Sequence, residues 1–127
     1  MLAADQRLRD SSSFRRTVRS GRRAGSRALV VHLSVGEPAA TGSPRVGFVV
    51  SRAVGGAVVR NLVQRRLRHI VRDYLPDLEP SSDLVIRALP ASATMTSAEL
   101  RAELSRCLQR VGVAGAGTAA SGSGAAS

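Results

Sequence analysis

The chain has 127 residues, 43% of them hydrophobic and 22% charged, which suits one domain with a modest core. Its 19 basic residues face 9 acidic ones, a net charge of +10, and such a balance draws polyanions before any specific contact forms. Aromatics at 2% leave aliphatic side chains to build the core, and one cysteine, Cys107, excludes an internal disulfide.

Residues 1–10 read as a polar lead-in. Ser11, Ser12 and Ser13 offer helix N-caps, Phe14 and Val18 then fall four apart, and Gly21 closes a short helix. Residues 22–25 form a short strand, and Arg27 to Val35, rich in aliphatic and β-branched residues, form a longer one. A loop of Gly, Pro, Ser and Thr follows from Gly36 to Pro44. Arg45 to Ser51 is the next strand, and Gly55 and Gly56 mark a turn. A helical pattern runs from Ala57 to about Leu75 and stops at Pro76. Leu84 to Leu89 is a further strand, ended by Pro90. Thr96 and Glu99 have the spacing of a capping box, and Leu100, Leu104, Cys107, Leu108 and Val111 mark one face of a last helix. The order is α-β-β-β-α-β-α, an α+β sandwich in which helices cover a sheet. The domain is expected over residues 1–111, with residues 112–127 (GVAGAGTAASGSGAAS) a disordered Gly/Ala/Ser tail.

The charge is unevenly placed. Residues 1–72 hold 15 Arg against Asp5, Asp10 and Glu37, a net of +12, while residues 73–127 hold 4 Arg against 6 acids, a net of −2. There is no lysine. Arginine forks onto phosphate and stacks on bases; GC-rich coding would account for the choice of arginine over lysine but not for the charge.

The positive charge concentrates in Gly55 to Tyr74, GGAVVRNLVQRRLRHIVRDY. On a wheel at about 100° per residue, Val59, Val63, Leu67, Ile70, Val71 and Tyr74 form one apolar arc. Asn61, Gln64, Arg65, Arg68 and Arg72 form a polar arc; Arg60 sits just inside one apolar edge and Arg66 beside the other. Like charges three and four apart disfavour an isolated helix by a few tenths of a kcal/mol per pair, a cost that phosphates would relieve. The alternative is a solvated basic face with no partner.

Other signals carry no chemistry. His32 and His69 lack Cys or carboxylate partners at metal spacing. Cys107 reads as a buried, inert thiol. Neither a nucleophile elbow nor a phosphate-binding glycine loop is present. No protein-borne catalytic residue and no metal site are expected. Without a long apolar run at the N-terminus or a stretch near the roughly 20 residues of a membrane helix, a soluble cytoplasmic protein with no membrane partner is expected.

The segment carrying Ala57, Arg60, Asn61, Val63, Arg65, Leu67 and Arg68 resembles the arginine-asparagine signature of the bacterial ribonuclease P protein component. GFVVSRAVGGAV before it, the helix with Phe14, the RALVVHL strand and the Asp83–Leu89 strand with its final helix are also similar to that family, over roughly residues 7–111. Leu62, Gln64, Gly56, Val18 and His32 depart from the pattern. The resemblance implies a left-handed β-α-β crossover. It also implies a protein that assists a catalytic RNA, with Mg2+ bound mainly by that RNA, in removing the 5′ leader of precursor tRNA by hydrolysis. The expected partners are ribonuclease P RNA and precursor tRNA, with no small-molecule cofactor. By this likeness Arg60, Asn61, Arg65, Arg66, Arg68 and Arg72 would bind the catalytic RNA. Phe14, His32 and Arg52 would bind the leader, Phe14 by stacking a base; Phe14 also suits a core position beside Val18. A general basic RNA-binding module, such as a ribosome-associated protein, needs only the charge and is the alternative.

Overall fold

The computed structural model describes residues 7–8, 11–35 and 42–113. Helix α1 (Ser11–Ser20) leads into strands β1 (Arg22–Gly25), β2 (Leu29–Ser34) and β3 (Arg45–Val50). Helix α2 (Ala57–Val71), strand β4 (Asp83–Ala88) and helix α3 (Ser97–Arg110) follow. The strands form one sheet in the order β1-β2-β4-β3. The β1–β2 and β2–β4 pairs are antiparallel, and β3–β4 is parallel. A parallel neighbour needs a crossover, and α2 supplies it between β3 and β4. The α+β order expected from the sequence is the order observed.

Strand alternation sorts the side chains into two faces. On one face Ala24, Val31, Ile86 and Phe48 align across the sheet, flanked by Leu33, Leu84 and Val46 and by Leu29, Ala88 and Val50. Val63, Leu67, Ile70 and Val71 of α2 and Leu100, Leu104, Cys107 and Leu108 of α3 bury against this aliphatic layer. Thr96 caps α3 with Glu99 in a reciprocal capping box, at 3.1 Å and 2.8 Å, satisfying two end amides.

The other face carries α1. Here Arg23, His32, Val85 and Gly47 form one row across the strands, and Gly25, Val30, Arg87 and Val49 form the next. Asp83 lies at the lower end, 3% exposed. The Arg45 guanidinium forks onto it at 3.0 and 3.1 Å and also donates to Ser13 Oγ of α1 at 3.3 Å. Arg16 of α1 approaches the same carboxylate at 3.5 Å. A buried carboxylate held by two guanidiniums is a stronger anchor than an exposed pair, so it fixes the start of α1 on the sheet.

Four local expectations are corrected. The long helix ends at Val71 rather than near Leu75: Tyr74 N–H bonds Val71, and a 3-10 turn follows over Leu75–Asp77. Pro76 has no N–H to continue the α-helical ladder, and the chain tightens into the 3-10 turn that contains it. Arg7 and Leu8, placed in the lead-in, pair in parallel with β3, and Leu8 is buried. Pro90–Thr94 forms an unforeseen 3-10 turn. Gly112 and Val113, assigned to the tail, belong to the fold. Gly112 takes φ +93°, its N–H bonds Gln109 and the Val113 N–H bonds Leu108, a glycine-terminated helix end that buries the Val113 side chain. The remainder of the proposed tail, 114–127, lies outside the described residues, as do 1–6, 9–10 and 36–41.

His32 is 5% exposed. Burial, and then the charges of Arg23 and Arg87, lower its pKa, so the folded protein holds it neutral where the unfolded chain would protonate it. Its contribution to stability is therefore complete above the ordinary value of 6.5 and is lost as pH falls toward the lowered folded value. Denaturant titrations across mildly acidic pH should show stability falling with acid in the natural chain and a flatter profile in His32→Gln. Parallel profiles for the two proteins would contradict this account of the buried ring.

Candidate nucleic-acid interface

Helix α2 presents its cations because its opposite side is anchored. Val63, Leu67, Ile70 and Val71 are buried, whereas Asn61, Arg65 and Arg72 are exposed and Arg60, Gln64 and Arg68 are half-exposed. Val58 is 82% exposed. Among the described residues the carboxylates in ion pairs are taken elsewhere: Asp83 by Arg45 and Arg16, Asp73 by Arg101 and Glu103 by Arg106. The Asp73 carboxyl is held below its ordinary pKa chiefly by the Arg101 hydrogen bond. Arg60, Arg65, Arg66, Arg68 and Arg72 form no ion pair with a described residue. The Nε atoms of Arg60 and Arg68 are buried with no hydrogen-bond partner among those residues, so their stems pack while donor capacity stays unused.

Two expected members of the cationic face are engaged differently. Arg66 turns sideways and donates to the Met95 carbonyl at 2.6 Å, closing the 3-10 turn before α3 rather than joining its neighbours. Arg72 approaches His69 Nδ1 at 3.5 Å. The helix begins at Gly56 without a side-chain cap, which leaves its first amides free of a side-chain acceptor. Gly55 precedes it at φ +155°, where a Cβ would press on Val59 at 3.0 Å.

On the α1 side, the ring of Phe14 lies across Gly47, where a Cβ would collide with the ring. Phe14 is half-exposed. One of its flanks opens onto a groove with Arg15, Val18, Arg19 and Arg87. The other opens onto a groove with Arg7, Leu8, Val46, Gly47, Phe48, Gln64 and Arg68. The surface thus offers an aromatic ring between two arginine-bordered depressions, a combination that suits a single nucleic-acid strand.

The other two residues expected beside Phe14 are placed differently from it. His32 shares its sheet face but is buried, with Nδ1 unpartnered among the described residues. It is a neighbour of the groove rather than an open stacking surface. Arg52 is exposed in the turn after β3, its carbonyl accepting from Gly55 N–H at 3.2 Å. Arg7, Arg15, Arg19 and Arg87 were not anticipated as site residues. Arg87, the one basic residue in a largely apolar strand, and Gly47, a glycine inside a strand, were the available signals. Arg7 had none, because its position depends on pairing with β3.

Among the described residues no three His, Cys, Asp or Glu side chains converge as a metal site. Cys107 is buried, and burial raises its pKa, as expected of an inert thiol. No helix among the described residues is long and apolar enough to cross a membrane.

Comparison with known proteins places the chain in a family and matches its fold. A family model described as Ribonuclease P matches residues 2–112. The ribonuclease P protein component of Nocardioides sp. is 59% identical over 112 residues, covering 88% of this chain and 96% of that protein. That of Streptomyces griseus is 52% identical over 117 residues, covering 87% and 95%. Among solved structures, the Staphylococcus aureus RNase P protein superposes with TM-score 0.74 at 23% identity, over 85% of this chain and 96% of that one. The Thermotoga maritima RNase P protein gives TM-score 0.69 at 24% identity, over 82% and 96%. With its helix-borne arginines on an α+β scaffold, the chain belongs to the bacterial ribonuclease P protein family, the protein component of the ribonucleoprotein endonuclease that removes 5′ leaders from precursor tRNA.

Proposed function

We propose that the outer face of α2 docks on the catalytic RNA while the α1 face holds the leader of precursor tRNA, in the cytoplasm. The observation that carries this reading is the set of α2 guanidiniums without carboxylate partners among the described residues. Arg60, Arg65 and Arg68 contact phosphates of ribonuclease P RNA, and Asn61 adds a neutral hydrogen-bonding group among them. Arg72 extends the contact at the end of the helix. Arg66 contributes by bracing the turn before α3, since its head is already on a carbonyl. Magnesium is held mainly by RNA, and the protein lowers the ion concentration needed by neutralising phosphate charge itself.

On the other face, Phe14 stacks a leader base, an interaction worth about 1–3 kcal/mol per base. Arg15, Arg19 and Arg87 border the same groove and steady the leader's phosphates. Arg52 lies beyond the upper end of β3 and meets the strand there. His32, beneath α1, supports the floor rather than touching RNA.

The protein alone should leave precursor tRNA intact. With ribonuclease P RNA at low magnesium it should raise kcat/KM by at least about tenfold, equivalent to ~1.4 kcal/mol of barrier. Unchanged RNA-only cleavage would contradict the assignment. Arg65→Ala with Arg68→Ala should weaken binding to that RNA and flatten the dependence of log K on log salt by about 0.7–0.9 for each phosphate no longer neutralised. An unaltered slope would mean that the cationic face points away from RNA.

A further inference from the structure

The groove on the β3 edge is separate from the Arg87 groove and borders the polar arc of α2, which lends it Gln64 and Arg68. β3 is the last strand of the sheet, and its outer edge is paired among the described residues through the short Arg7–Val46 bridge, with Leu8 N–H bonding the Val46 carbonyl at 2.9 Å. Just beyond that bridge, a cavity of about 280 Å³ opens beside Gly47 and Phe48. Its walls come from three separate parts of the fold: Arg7 from the N-terminal segment, Phe14 from α1, and Gln64 and Arg68 from α2.

The chemistry of those walls is specific. Among the described residues no carboxylate lines the cavity, and two guanidiniums do. The Nε atoms of both Arg7 and Arg68 are buried without a hydrogen-bond partner among the described residues, and a buried donor left unpaired is costly. Small shifts of these two side chains onto an incoming anion would recover that cost. Phe14 supplies an aromatic ring, which Gly47 admits by having no side chain. Gln64 supplies a carboxamide with donors and an acceptor side by side, the arrangement that reads a base edge.

We infer that this groove is a binding pocket for one unpaired nucleotide, with Arg7 and Arg68 on its phosphate, Phe14 against its base and Gln64 reading the base edge. The inference rests on the RNA-binding reading above. Gln64, which departs from the family's basic pattern, becomes the determinant of which base is accepted. The nucleotide comes either from the leader or from an unpaired position of the catalytic RNA.

The test uses the full chain assembled with ribonuclease P RNA and precursor tRNA. A photoreactive group is attached at Gln64→Cys; the native thiol Cys107 is buried and does not compete. The cross-linked nucleotide identifies the source, leader or catalytic RNA. That position is then replaced by each base and by an abasic residue in holoenzymes with the natural chain, Gln64→Ala and Arg7→Ala. The pocket predicts a cross-link at one nucleotide. It predicts that the natural chain loses roughly tenfold in affinity with the disfavoured bases or the abasic site, in line with one good base-edge contact. Gln64→Ala should flatten the ranking of bases, whereas Arg7→Ala should weaken all bases alike and keep their order. Diffuse cross-links, or a base ranking untouched by Gln64→Ala, in a holoenzyme that still cleaves, would overturn the pocket and leave the general function intact. Failure of the natural chain to stimulate cleavage would overturn both.

Discussion

The cationic face that the protein offers to RNA is organised by the burial of one helical stripe. Val63, Leu67, Ile70 and Val71 are almost wholly withdrawn from solvent against an aliphatic sheet and α3, and burying side chains of this kind contributes about 1.5–3 kcal/mol each. That contribution offsets the mutual repulsion of Arg65, Arg68 and Arg72, which is a few tenths of a kcal/mol per pair on a solvated helix. Apolar packing thus holds in place an array of like charges that an isolated peptide would resist. The acids follow the same logic: Asp83, Asp73 and Glu103 pair with arginines of other elements or of their own helix outside α2, so they do not quench the array.

The opposite face is organised by a polar anchor. Asp83 draws Arg45, Arg16 and, through Arg45, Ser13 into one cluster at the start of α1. From there α1 runs over the lower rows of the sheet and sets the Phe14 ring onto Gly47. The upper row, with Val30, Arg87 and Val49, is where the sheet meets the groove beside Phe14 and Val18. Grooves on both sides of the ring therefore follow from where one carboxylate pins one helix.

The sequence is most informative where periodicity and end signals agree. The α2 stripe, the Thr96–Glu99 cap and the three longer strands follow from spacing and residue type, and α2 departs from its pattern only where Pro76 acts at a distance to tighten its last turn. The arginine-asparagine motif is specific enough to name the family. Less legible are features that depend on distant parts of the chain. Arg66 sits beside an apolar edge of the wheel, and nothing in its spacing shows that the Met95 carbonyl claims its head. His32 sits in a strand, and its burial depends on α1 crossing above it. Leu8 follows an arginine in a polar stretch and gains its place by bonding to Val46. Val113 reads as tail because the helix end formed by Gly112 requires a backbone conformation that composition does not announce.

The central claim is that α2 meets RNA through guanidiniums held outward by its buried side. Residue-resolved modification of arginines with a dicarbonyl reagent, read by mass spectrometry with and without ribonuclease P RNA, tests it in the unaltered chain. Arg60, Arg65 and Arg68 should lose reactivity on complex formation, while Arg101 and Arg106 of α3, already paired with Asp73 and Glu103, keep the reactivity they have in the free protein. Equal protection of both helices, or protection of α3 alone, would contradict the account.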